Sequence, residues 1–148
     1  MSEPFVPADF EVPVTFAGSG FHLEPLAPVH NERDYEAWTS SMEHIQTTPG
    51  MVGWGWPEPM TLEENLGDME MHWKEFETRS SFTYSILDGD EVIGCVYIYG
   101  GKKVDTDVHV RSWVRASRPE MDAVIWRELS EWFADAWPFE TWTYAERS

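Results

Sequence analysis

The 148-residue chain has a single cysteine, Cys95, so an internal disulfide and a cysteine-based zinc site are both excluded. Positive charge is scarce as well. Ten Lys and Arg stand against 27 Asp and Glu, a formal charge of −17 at pH 7. Nucleic acid and anionic membrane both demand a Lys/Arg footprint, so neither is expected as a partner. A field of this sign favours a cationic ligand such as an amine, polyamine or basic peptide, although solvation of the surface alone also accounts for it. Long apolar runs are missing: the best, residues 92–99, is strand-length and contains Gly94, so no membrane-spanning helix is expected. The start of the chain is acidic and proline-rich, without the basic and apolar segments of a secretory signal. A soluble, cytoplasmic protein is the expectation. His22, His30, His44, His72 and His109 never fall at ligand spacing, and no metal site is expected.

What the chain does have is apolar and aromatic bulk. Hydrophobic residues make up 42% and aromatics 15%, with nine tryptophans, enough for one well-filled core at this length. Residues 1–20, with Pro4, Pro7, Pro13 and a Gly18-Ser19-Gly20 break, read as an irregular arm with a short edge strand over 11–16. Residues 21–148 read as a single domain. Phe21-His22-Leu23-Glu24-Pro25-Leu26 alternates as a strand does, with Phe21, Leu23 and Leu26 inward and His22 and Glu24 on the other face. Asn31 is placed to cap a helix in which Tyr35, Trp38, Met42 and Ile45 recur at helical spacing. Pro49, Gly50, Gly53, Gly55, Pro57 and Pro59 then break the pattern. A second helix begins at the capping box Thr61 to Glu64 and carries Leu62, Leu66, Met69, Trp73 and Phe76 as its inward stripe.

Residues 82–87 and 91–99 read as strands joined by Asp88-Gly89-Asp90, because Asp-Gly accepts the positive φ of a tight turn. Gly100-Gly101-Lys102-Lys103 makes a second turn into a strand over 107–115. There Val108, Val110, Ser112 and Val114 share one face, and His109, Arg111, Trp113 and Arg115 the other. The longest helix, about 119–137, buries Met121, Val124 or Ile125, Leu129, Trp132 or Phe133, and Trp137. A last strand over 141–145 pairs in parallel after that crossover. The fold class is therefore α/β of the α+β kind, a mixed sheet with an antiparallel meander and one parallel step.

This order, and three stretches within it, resemble the GNAT superfamily of acyl-CoA-dependent N-acetyltransferases, in particular its small bacterial members. Residues 21–26 look like the family's first strand. Glu91-Val92-Ile93-Gly94-Cys95-Val96-Tyr97-Ile98 looks like its third strand, and Trp113-Val114-Arg115 like the end of its fourth. The resemblance covers about 21–145. It implies a mostly antiparallel sheet with helices on both faces, acetyl-CoA as cofactor, and a small amine or basic acceptor as substrate. It also places the cofactor's pyrophosphate at the junction Arg115-Ala116-Ser117-Arg118-Pro119-Glu120, and the acyl carbonyl against the backbone of Trp113 and Val114. Two departures stand out. The glycine positions of the family's loop hold Arg118 and Glu120, or Glu120 and Asp122 in a shifted register. The family's last helix and strands have no counterpart after the fifth strand, which leaves Tyr144 as the nearby tyrosine and an open sheet edge through which a homodimer is expected.

The junction has two physical readings. Ser117 to Glu120 forms a capping box on paper, which would use the helix N–H groups that a phosphate needs, and Glu120 and Asp122 would repel it. A carboxylate ~5 Å from a phosphate charge costs ~3 kcal/mol at an effective dielectric of ~20. Arg111, Arg115 and Arg118 gather enough positive charge to reverse that sign. Elsewhere Trp54 and Trp56, flanked by glycines in the loop where the family places its acceptor, are candidate cleft walls, with His44 and Glu43 at the preceding helix end and Tyr97 as polar lining. Amine acylation needs a base. His109 and Glu24 are the candidates, neither singled out by spacing, and Cys95 reads as a buried, unreactive thiol. An acyltransferase and a non-catalytic binding protein on the same fold both satisfy these observations.

Overall fold

The computed structural model describes residues 6–100 and 108–147. The turn read at residues 101–103 and the start of its following strand at Asp107 lie outside them. Six strands form one sheet in the order β1 (Phe16–Ala17), β2 (His22–Pro25), β3 (Ser81–Asp88), β4 (Glu91–Tyr99), β5 (Val108–Val114) and β6 (Trp142–Tyr144). Every neighbour pair is antiparallel except β5 and β6, which run parallel. The helices are α1 (Asn31–Thr39), α2 (Met42–Gln46), α3 (Leu62–Thr78) and α4 (Met121–Ala136), with a 3-10 turn over Pro28–His30.

Each sheet face builds its own core. On one face, Met121, Ile125, Leu129 and Phe133 of α4 pack on Phe82, Tyr84, Val96, Ile98, Val108 and Val110, and Val6, Phe10, Val12 and Phe16 of the N-terminal arm join them. On the other face, Ala37 and Trp38 of α1, Ile45 of α2 and Met69 of α3 cover Leu87, Val92, Cys95, Tyr97 and Trp113. The alternation along β4 changes phase at Ile93, an extra residue between the pairs Ile86–Gly94 and Leu87–Val92. Such a bulge lets Val92 and Cys95 face the same core although they lie an odd number of positions apart.

Several expectations are corrected. The single helix from Asn31 is two, interrupted at Ser40-Ser41, and Asn31 does not cap it: the N-cap is His30, with no side-chain bond, while Asn31 is drawn inward. The arm's edge strand lies at Phe16–Ala17 rather than over 11–16. On α3 the capping box forms, Glu64 N–H donating to Thr61 Oγ1 at 3.1 Å and Thr61 N–H to Glu64 Oε1 at 2.8 Å. Its inward stripe is different, however. Leu62, Leu66 and Trp73 are exposed, and Asn65, Met69 and, partly buried, His72 and Phe76 face the protein.

Two glycines differ in what surrounds them. Gly67, inside α3, has open space where a Cβ would go. At Gly94 an added Cβ would lie 2.2 Å from the Trp113 carbonyl oxygen, so only hydrogen lets β4 and β5 approach as they do. Gly67→Ala is therefore expected to stabilise the protein by ~0.5–1 kcal/mol, and Gly94→Ala to destabilise it by ~1–3 kcal/mol through forced strand separation. Urea unfolding of both variants checks this; changes of the same sign would contradict the assignment.

Candidate functional site

A cavity of about 220 Å³ lies between α1, α3 and β4, under the loop that joins α2 to α3. Its walls include Trp54, Trp56, Tyr97 and Tyr99, and its polar lining is Asp34, Asn65, Asp68 and His72. The ring planes of Trp54, Trp56 and Tyr97 meet one another at 63–74°, so they enclose a corner and not a flat wall. Trp56 in turn leans on Trp38 and Trp113, and Arg111 covers Trp54 with its guanidinium 4.9 Å from the ring centre. The loop reaches this position because Gly50, Gly53 and Gly55 all take positive φ, which other residues resist.

The polar floor is a closed network. Asn65 accepts from Trp38 Nε1–H at 3.1 Å and donates to Asn31 Oδ1 at 2.8 Å and Asp34 Oδ2 at 3.3 Å. Asp34 is 3% exposed and has no cationic partner among the described residues. Burial raises its pKa to about 7, with the Asn65 bond opposing and Asp68 adding to the shift. Burial likewise raises Asp68 and lowers His72, so the imidazole lining the cavity is neutral near pH 7. Asp34, Asp68, Asn65 and His72 were not among the site residues the sequence suggested. The signal was present: on α3, positions 65, 68 and 72 put polar groups at helical spacing on the face that turns inward.

The second feature is the outer edge of β5. Gly94 and Val114 are partners, and Arg115 N–H donates to Ile93 O at 2.8 Å, which makes that pair a non-hydrogen-bonded one. The backbone of Ser112, Val114 and Ala116 therefore turns away from β4. β6 pairs only as far as Val110, so beyond it this edge meets other partners. Arg147 Nη2 donates to Ser112 O at 2.7 Å, and Ala116 N–H donates to Ser41 Oγ at 2.8 Å. The Val114 N–H lies between these two bonds, whereas the backbone of Trp113 faces β4. A shallow depression of about 450 Å³ beside Ala116 is lined by Ser41, Glu43 and His44.

The junction itself differs from its paper form. Ser117 does not cap α4; the N-cap is Glu120, without a side-chain bond, and overlapping turns from Arg118 N–H to Arg115 O and Met121 N–H to Arg118 O lead into the helix. Arg115 pairs with Glu36 at 2.7 Å and Glu91 at 3.3 Å. Arg118 pairs with Asp88 at 3.0 Å, Glu120 at 3.2 Å and Glu91 at 3.5 Å. Asp122 is taken by Arg147 at 2.8 Å. Arg111 is not part of this cluster, since it bonds to Gly50 O and lies over Trp54.

The structure brings Trp54, Trp56 and Tyr97 together, and places His44 across from Ala116. His109 is exposed on β5 and bonds to Thr143 at 3.1 Å, and the Tyr144 hydroxyl meets Ser112 Oγ at 2.6 Å, its phenol pKa pushed up by burial. Glu24 sits on β2, three strands from β5, where it bridges His22 at 2.8 Å and buried His30 at 3.1 Å. Glu24 and His109 are thus separated by three strand spacings, ~14 Å at about 4.8 Å each, and also by four residues along β5, because the register runs from Glu24 through Ser85 and Cys95 to Trp113. His30 accepts at Nδ1 from Ala27 N–H, which leaves its Nε2–H to face Glu24. Burial lowers its pKa.

With this geometry the chain can be set beside known structures. It superposes on a ribosomal-protein-S5-alanine acetyltransferase from Vibrio fischeri with a TM-score of 0.64 at 12% identity, covering 84% of this chain and 69% of that one. It matches an acetyl transferase from Salmonella typhimurium that modifies the N-terminal serine of ribosomal protein L7/L12, with a TM-score of 0.68 at 11% identity, over 90% and 73%. The microcin C7 self-immunity acetyltransferase, solved with acetyl-CoA and AMP, gives 0.61 at 9% identity, over 79% and 62%. The fold is that of the GNAT acetyltransferases. No protein-family model and no curated protein matches the sequence. Among the described residues, no helix is long and apolar enough to cross a membrane.

The ionisation of Asp34 has a consequence for stability. Its folded pKa, about 7, lies above the ordinary 3.8, so the stability it contributes is complete below ~4 and lost as pH rises through ~7. His30 and His72 act oppositely, losing stability as pH falls below their ordinary 6.5. Their contribution cancels between the wild type and Asp34→Asn. The variant is therefore expected to gain on the wild type between pH 5 and pH 8 by at most roughly 3 kcal/mol, the about two units of the shift that fall above pH 5. Urea unfolding at both pH values measures the difference, and parallel profiles would rule out a buried Asp34 carboxylate with a raised pKa.

Proposed function

We propose that the protein is an acyl-CoA-dependent N-acyltransferase that passes the acyl group of acetyl-CoA to a small amine or basic acceptor. The observation that carries this reading is the aromatic cavity with a buried, readily protonated carboxylate, on the sheet face where Trp56 meets Trp113 of β5. Acetyl-CoA, when bound, supplies an activated thioester. Asp34 takes the proton that the acceptor ammonium must lose before its nitrogen can attack, and a pKa near 7 suits that task. The Val114 N–H, turned off the ladder, is the donor for the acyl carbonyl oxygen. Trp113 fixes the wall between acceptor and acyl group. Ser117, Arg115 and Arg118 meet the cofactor phosphates, and His44 lines the depression that leads to them. His109 and Tyr144 flank the β5–β6 side, and Glu24 supports the loop at His30. The neighbours from Vibrio fischeri and Salmonella typhimurium are described as acting on ribosomal proteins, so a terminal amine of a polypeptide belongs among the acceptors to be tried.

A second reading is a binding protein on this fold that no longer takes acyl-CoA. It is favoured by one observation: Arg115 and Arg118 already face the four carboxylates Glu36, Asp88, Glu91 and Glu120. Calorimetry with acetyl-CoA separates the two. Under the first reading acetyl-CoA binds, and Arg118→Ala weakens CoA more than it weakens a pantetheine fragment lacking the pyrophosphate. An absence of heat at millimolar cofactor selects the second. For the acyl transfer itself, Asp34→Asn is expected to lower kcat by ~10²–10⁴-fold and to remove the rise of rate with pH through ~7.

A further inference from the structure

We propose that the cavity between α1, α3 and β4 is a binding site for an alkylammonium cation. Three rings, those of Trp54, Trp56 and Tyr97, meet at steep angles around one corner, and the ring faces of such a corner carry the negative end of the aromatic quadrupole. Two carboxylates, Asp34 and Asp68, line the same space, and among the described residues Asp34 lies in no ion pair. The one imidazole in the lining, His72, is held neutral by burial and does not cancel that charge. Arg111 covers the outside of Trp54 and is anchored to Gly50 O at 3.1 Å, so its charge lies behind the wall. At about 220 Å³ the space is below the ~300–1,000 Å³ of drug-sized pockets, which fits a compact head group. An anion would meet two carboxylates here, and a neutral apolar group would bring no cationic partner to Asp34, whose bond comes from the neutral Asn65 amide. A cation with methyl or methylene groups on nitrogen satisfies both halves of the lining.

As a statement about the acceptor this rests on the acyltransferase reading; as a statement about the cavity it does not. The test uses the full chain without acetyl-CoA. Choline is titrated calorimetrically against its neutral carbon isostere, dimethylbutanol, in which carbon replaces the quaternary nitrogen. Choline is expected to bind saturably in the millimolar range or tighter, and the isostere at least about tenfold more weakly. Asp68→Asn, at a half-exposed position, should weaken choline several-fold and leave the isostere unchanged, and Trp54→Ala should weaken choline by about tenfold or more. Equal affinity for the two compounds, or no saturable binding of choline, overturns the proposal. The wild-type comparison needs no variant to fold. Because no cofactor is present, a failure here leaves acyl transfer standing, and a failure to bind acetyl-CoA leaves the cation site standing.

Discussion

The Asn65 side chain holds the candidate site together. It is buried, and a buried amide has to satisfy two donors and an acceptor or cost the fold 1–3 kcal/mol for each group left bare, on the order seen for unmade bonds. Its partners come from α1: Trp38 Nε1–H, Asn31 Oδ1 and Asp34 Oδ2. These bonds fix the distance between α1 and α3, and so decide that a gap remains between them over Tyr97. Were this contact apolar, the two helices could close on each other and the gap with them. The network therefore explains why Asn31 abandons its capping role and why Asp34 is carried inward without a cation.

On the neighbouring strand, β5 is constrained from both sides. Toward β4, Gly94 lets the two backbones approach so closely that Trp113 is locked into the ladder. Away from β4, the pairing with β6 ends at Val110, and the freed carbonyl of Ser112 is claimed by Arg147, whose guanidinium also bonds Asp122 and Ala145 O and lies over the Tyr144 ring. A charge this deep is tolerated because each of the three guanidinium nitrogens has an acceptor and Asp122 balances the charge. Between Ser112 and Ala116 the Val114 amide faces outward on this edge. Trp113 thus has its backbone in the β4 ladder, and Val114 does not.

Much of this was readable from local chemistry. Asp88-Gly89-Asp90 marks its hairpin because Asp-Gly tolerates the turn, and Gly89 indeed has φ of 61°. Thr61 and Glu64 announce the start of α3, and the spacing of Met121 and Leu129 marks the buried face of α4, with Ile125 and Phe133 the buried members of the pairs that the spacing left open. The failures share a cause. Apolar periodicity assigned Leu62, Leu66 and Trp73 to the core of α3, but a cavity with a polar floor reverses that face and sends them outward. The Ser117 capping box matched a four-residue pattern, and lost to ion pairs that Arg118 makes with Asp88 and Glu91, some thirty residues earlier. Arg147 carried no local signal at all, because its partners Ser112 and Asp122 are brought to it only by the parallel step of the sheet. Patterns within one turn or hairpin were visible; polar contacts between elements were not.

The charge balance points the same way as the cavity. Of seven arginines, Arg33, Arg79 and Arg111 donate to the backbone carbonyls of Asp90, Pro7 and Gly50, and Arg115, Arg118 and Arg147 are held by carboxylates. Six of the seven arginines are thus engaged in the protein's own structure. An anionic cofactor has to displace Glu36, Glu91 or Asp88 from an arginine, or rely on backbone donors such as the Val114 N–H. A cationic ligand would face no such competition: the field is net negative, and Asp68 and Asp34 lie behind an aromatic corner. The asymmetry ranks the two halves of the proposed reaction. Under the proposed reaction, an amine would meet rings and carboxylates that the fold already holds in place, while an acyl donor would compete with ion pairs that the fold already uses.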